Sequence, residues 1–131
     1  MDEVFQPQGE LVIQTIAMPA NTNPYGDIFG GWLVSIMDLG ASVLAHKCSH
    51  NRMATIAIDR MSFIKPVMVG DTVACYAEVT KRGNTSVTIG LEVWVQKRTD
   101  EARYKVTQGL FTFVAIDEQG KSTPIKWNPN V

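Results

Sequence analysis

Asp27 stands in the segment NPYGDIFGGWLVSIMD, residues 23–38, with Gly26 before it and the pair Gly30-Gly31 just after. A carboxylate there can take a proton from water or attack an electrophilic carbon itself. From Trp32 onward the apolar residues Leu33, Ile36, Met37, Ala41 and Leu44 recur at helical spacing, so the glycine pair falls at a helix start. The first N–H groups of a helix have no intrahelical acceptor, and the helix dipole adds to their affinity for negative charge. Glycine leaves such donors unshielded. The combination suits a thioester or ester carbonyl that becomes an oxyanion while Asp27 acts on the same carbon. An aspartate before a helix has a second use, as an N-cap, and the GDxxGG pattern alone does not choose between them. Asp38 interrupts the apolar helix. It reads as a hydrogen-bonded helix residue or as a contact across a subunit interface.

Other chemistry is not written in the chain. The sequence has no GxSxG elbow, no HExxH and no phosphate-binding GxxxxGKS. His46 and His50 follow the helix on a polar turn and do not make a metal site. Cys48 and Cys75 form no CxxC pair. Cys75 sits in a strand pattern as a small buried hydrophobe, and Cys48, after His46-Lys47, is expected to be the more exposed. Two free thiols suit a cytoplasmic location. The segment MDEVFQPQGE is acidic and lacks the apolar run of a signal peptide, and the longest apolar stretch is too short to span a membrane. A net charge of -1 argues against nucleic acid or an anionic membrane as a partner.

The elements that position Asp27 follow from periodicity. A strand over Leu11–Ala17 leads into the turn-rich loop NTNPYG and then the helix. Strands are predicted over Met53–Ile64, Thr72–Arg82, Thr85–Lys97 and Arg103–Ile116, with a hairpin signal at Gly83-Asn84. Val73, Cys75, Ala77 and Val79 share one face of their strand, as do Val87, Ile89, Leu91, Val93 and Val95. In the last strand the apolar parity switches between Val106 and Phe111, which predicts a β-bulge at Gly109. The 131 residues suit one domain with its core over about residues 9–117, and the polar tail after Asp117 is expected to be frayed. One helix followed by four strands reads as α+β, an antiparallel sheet curled around one helix.

Three stretches in order, MPANTNPYGDIFGGWLVSIMD, MSFIKPVMVGD and RGNTSVTIGLEVWV, resemble the hot-dog-fold acyl-CoA thioesterases of the YciA type. The resemblance implies a long helix wrapped by an antiparallel sheet of about five strands. It implies a dimer with a continuous sheet as the active unit, three dimers in a hexamer, and acyl-CoA at the subunit interface. The family's catalytic acid falls on Asp27 and its oxyanion donor on Gly30 or Gly31, with Gly31 preferred. Asn23, Lys65, Arg82, Gly83, Asn84, Thr85 and Ser86 fall on segments placed near CoA. No cofactor is implied, since CoA is part of the substrate, and no metal. Lys65, Lys81 and Arg82 at strand ends offer local cations for CoA phosphates. Two rivals are a hydratase or dehydratase on the same fold and a non-catalytic acyl-CoA-binding module. The first typically wants a histidine near the helix, and none precedes His46. The second has no further domain to report to.

Overall fold

Val87, Ile89, Leu91, Val93 and Val95 are all buried, as strict alternation requires of a strand with one face on a core. They belong to β4 (Ser86–Gln96), the central strand of one antiparallel sheet in the computed structural model, which describes residues 6–130. The sheet order is β1 (Glu10–Ile16), β3 (Thr72–Arg82), β4, β5 (Arg103–Ile116) and β2 (Arg52–Phe63). The helix α1 (Gly30–Cys48) lies across its concave side and buries Leu33, Ile36, Met37, Gly40, Ala41, Leu44, Ala45 and Cys48. Phe111 and Phe113 of β5 fill the centre of the core, both fully buried. The strands β3 and β5 lie where the sequence places them. The other elements shift by one or two residues, and the helix begins at Gly30 rather than Trp32.

Among the described residues, no strand pairs with the outer side of either sheet edge, β1 or β2. On the helix, Leu39 and Val43 are exposed at 58% and 40%, next to an edge strand that exposes Ile56 and Ile58. One side of an apolar helix is therefore uncovered by its own chain.

Three expectations are corrected. Gly109 is not a bulge in β5, because it pairs regularly with Leu91. The inserted residue is Val106: Val93 pairs with Thr107 and Trp94 with Lys105, so Val106 and Thr107 are both buried. The Thr107 hydroxyl satisfies itself by donating to the Ser62 carbonyl at 2.7 Å. Gly109 instead faces an irregularity in β2, between Asp59 and Ser62, where Arg60 has a left-handed φ of 53°. A Cβ at Gly109 would overlap the Met61 sulfur, so this glycine makes room for the bulge opposite.

The tail after Asp117 is tied down rather than frayed. Thr123 N–H donates to Ala115 O, Ile125 N–H to Asn84 O and Asn128 N–H to Cys48 O. Ile125 is buried and Trp127 packs against the core. Only two apolar side chains anchor this segment, too few to give a periodic signal. The same strap covers Cys48, which is fully buried rather than exposed, and burial raises its thiol pKa despite the opposing charge of Arg82.

Candidate active site

The loop before α1 is built on Asn23. Its side-chain oxygen accepts the N–H groups of Tyr25 at 2.9 Å and Asp27 at 3.1 Å, and its own N–H donates to Asp27 O at 2.7 Å. Gly26, at φ +91°, completes this turn in a conformation that other residues rarely adopt. Ile28 and Phe29 then anchor the loop by donating to Val67 O and Asn21 O. Asn23, expected to contact CoA, thus uses its oxygen to shape the loop that carries Asp27.

Asp27 does not cap the helix. The N-cap is Phe29, which offers no side-chain oxygen, and the Asp27 carboxylate has no hydrogen-bonding partner among the described residues. Gly30 and Gly31 are the first two helical residues, and no backbone carbonyl among the described residues receives their N–H groups. A Cβ added at Gly31 would meet nothing within 4 Å, whereas one at Gly30 would lie 3.5 Å from the Phe63 ring. Smallness at Gly31 therefore serves no packing among the described residues. It leaves two donors at the positive end of a helix dipole open to a ligand.

Asp38 sits two turns further on, half-buried. Its Oδ1 accepts the Thr55 hydroxyl of β2 at 2.6 Å, a short charge-assisted bond that fixes the carboxylate. The sequence reading of a hydrogen-bonded helix residue is met, with Thr55 as a partner that no local pattern could name.

The remaining site residues fall into two groups. Lys65 follows the strand end beside the helix start, and its ammonium lies 4.7 Å over the Tyr104 ring. The hairpin of Arg82, Gly83, Asn84, Thr85 and Ser86 closes by Gly83 N–H donating to Ser86 O at 2.8 Å. Arg82 stacks on Trp127 at 4.6 Å, and Asn84 O holds Ile125, which places the hairpin at the C-terminal end of α1. A helix of 19 residues is ~28 Å long, so one chain does not bring the hairpin to Asp27.

A polar pair missed in the sequence supports the loop from below. Asp71, buried, accepts the Met68 N–H and the Lys97 ammonium, each at 2.9 Å. This pins the segment whose Val67 carbonyl holds Ile28. Burial pulls the Lys97 pKa down, but hydrogen bonds to Asp71 and Tyr104 and their charges more than offset it, leaving the group raised. The two ends of this bridge are 26 residues apart, and nothing in the sequence marks them as partners. Among the described residues no cluster of His, Cys, Asp or Glu could hold a metal ion, and no helix is long and apolar enough to cross a membrane.

Comparison with known proteins agrees with this architecture. Residues 25–102 match the family model of the thioesterase superfamily. The acyl-CoA thioester hydrolase YciA of Salmonella typhimurium is 53% identical over 122 residues, covering 91% of this chain and 92% of that protein. The solved structure of a hexameric broad-specificity acyl-coenzyme A thioesterase superposes with a TM-score of 0.89 at 46% identity, over 96% of this chain and 87% of that one. A mutant of that enzyme, with an aspartate replaced by alanine, has also been solved. A hexameric hotdog fold thioesterase of Campylobacter jejuni gives 0.84 at 39% identity, over 90% of this chain and 91% of the other. With its one helix in a five-stranded antiparallel sheet and its match over most of the core, the chain belongs to the thioesterase superfamily and has the hotdog fold.

Proposed function

We propose that this protein hydrolyses acyl-CoA thioesters to a free carboxylic acid and CoA, with the start of α1 as the oxyanion site. The carrying observation is the pair of unpartnered N–H groups at Gly30 and Gly31, with open space at Gly31. Water adds to the thioester carbon, the carbonyl oxygen becomes an oxyanion held by these donors, and a carboxylate takes the water's proton. Collapse breaks the C–S bond, and the proton passes to the departing thiolate. The reaction as written needs only water and the protein's own groups, with CoA as part of the substrate.

The working unit is a dimer in which two β2 edges pair antiparallel, within a trimer of dimers, a count that fits the hexameric relatives. This pairing covers the exposed face of α1. It also reverses one sheet against the other. The hairpin end of one copy, carrying Arg82–Ser86, then comes beside the helix-start end of its neighbour, carrying Lys65. Lys65, Lys81 and Arg82 meet the CoA phosphates there. The two free cysteines fit a cytoplasmic setting.

Two aspartates compete for the proton. Asp27 is the closer in the chain to the oxyanion donors and its carboxylate has no partner among the described residues. Asp38 is the better oriented, and that observation favours it. A base must be held in place, and the Thr55 hydroxyl holds Asp38 on the face that a second subunit covers and dries. Asp38 lies ~10 Å along the axis from its own Gly31, too far to share one carbonyl, so it would serve the helix start of the other copy. Mixed dimers separate the readings. Copies carrying Asp38→Asn, mixed with copies carrying Gly31→Val, regain activity, because one of the two sites in each mixed dimer is then intact. On the rival reading, with Asp27 as base of its own helix start, Asp27→Asn copies are inert and regain nothing when mixed with Gly31→Val copies, since both residues belong to one site. If Asp38→Asn keeps full activity while Asp27→Asn is inert, the base is Asp27.

A further inference from the structure

The bulges in β2 aim one aromatic ring at the helix start. Cross-strand partners in an antiparallel sheet share a face, so the pairing with β5 tells which way each β2 residue points. Thr55 pairs with Phe113 and Ile58 with Phe111, on the helix side. After the irregularity between Asp59 and Ser62, Phe63 pairs with the buried Thr107, again on the helix side. The ring ends at Gly30: its Cε1 and Cζ atoms would each lie 3.5 Å from a Cβ there. Yet Phe63 is 54% exposed, and Phe29 beside it 52%. A large apolar ring on the core side of a strand, half-open to solvent, is not filling the core. It walls one side of the oxyanion donors, while the other side, at Gly31, is empty.

We infer that Phe63 sets acyl specificity by admitting thioesters with an unbranched α-carbon and hindering α-branched ones. This rests on the placement of the oxyanion site at Gly30 and Gly31 proposed above, whichever aspartate is the base. A carbonyl oxygen bound to these N–H groups lies ~3 Å from the nitrogens, so the acyl α-carbon comes within van der Waals reach of groups flanking Gly30. A straight methylene chain lies flat along a ring. A methyl branch at the α-carbon must push into it, and a packed wall does not yield without cost. One methyl group in a shaped pocket is worth roughly 10- to 200-fold in kcat/KM.

The test compares butyryl-CoA with isobutyryl-CoA, isomers in which one methyl group moves from the chain end to the α-carbon, on wild-type protein, Phe63→Ala and Phe63→Leu. The kcat/KM ratio of isobutyryl- to butyryl-CoA is expected to rise at least 10-fold in Phe63→Ala, with Phe63→Leu between. The ratio is taken within each variant, so a loss of folded protein cancels, and Phe63→Leu carries the test if Phe63→Ala does not fold. An unchanged ratio across the variants, beside a wild type that turns over butyryl-CoA, overturns the role of Phe63 alone. Failure of the wild type to release CoA from either substrate overturns the hydrolase reading, and this inference with it.

Discussion

Two glycines of one helix have opposite surroundings. At Gly31 an added Cβ meets nothing within 4 Å. At Gly40 it would come within 2.8 Å of Val12 Cγ2 and 3.1 Å of Cys75 Sγ, because α1 presses there against β1 and β3. The first glycine keeps space for something outside the chain, and the second lets two elements of the chain touch. Small residues in a helix thus mark either access or contact, and only the neighbours say which.

The comparison breaks most visibly at Gly31. Changing it to valine should cut turnover roughly 100- to 1000-fold by obstructing an oxyanion donor, while the melting temperature holds. Affinity for free CoA, which has no carbonyl to place there, should stay near its wild-type value. Turnover, calorimetry and CoA titration on one variant check this, and a loss of activity matched by a loss of stability would turn Gly31 into a second Gly40.

The converse change is Gly40→Val. Overpacking against Val12 and Cys75 should cost about 1–3 kcal/mol, lowering the melting temperature by roughly 5–10 °C. Turnover per folded molecule at 25 °C should be unchanged. An unaltered melting curve would mean that the contact is looser than the distances state.

The smallest effect sharpens the contact side. Burial against the helix pushes the Cys75 thiol from 9.0 up to about 12. In the unfolded chain it ionises above pH 9, while in the folded chain it stays protonated. Folded protein therefore binds more protons between these values, and stability falls as pH rises through that window. Cys75→Ala should flatten the decline, by about 1 kcal/mol at pH 10, when denaturant unfolding is followed from pH 8 to 11. Equal slopes in the two proteins would place the thiol in contact with water.

Legibility divided along the same line. β4 was readable because its burial follows period two from Ser86 to Val93. The extent of β2 was read to within one residue but its facing was not, since insertions near Ile56 and Arg60 twice shift its register and scatter its apolar residues over both faces. The glycine pair at the helix start announced itself, because a chain rarely places two glycines at a helix start without need of the space. Thr55 as the partner of Asp38, and Lys97 as that of Asp71, could not be read, because they meet only when the sheet curls around the helix. The hairpin Arg82–Ser86 was legible as a turn. That it ends far from Asp27 in one chain follows from the direction of α1.

The strap formed by residues 123–128 has a consequence for biosynthesis. The closing carbonyls of α1, at Lys47 and Cys48, are bonded by Asn128, about 80 positions later in the chain. A helix end keeps unmatched acceptors until something supplies donors. During translation at about 5–20 residues per second, α1 emerges several seconds before its terminal partner exists. Until then the far end of the helix is solvated. The contact is thus made by a segment that leaves the ribosome well after the helix, and a chain arrested short of Asn128 would carry an unsealed helix end and an uncovered Cys48.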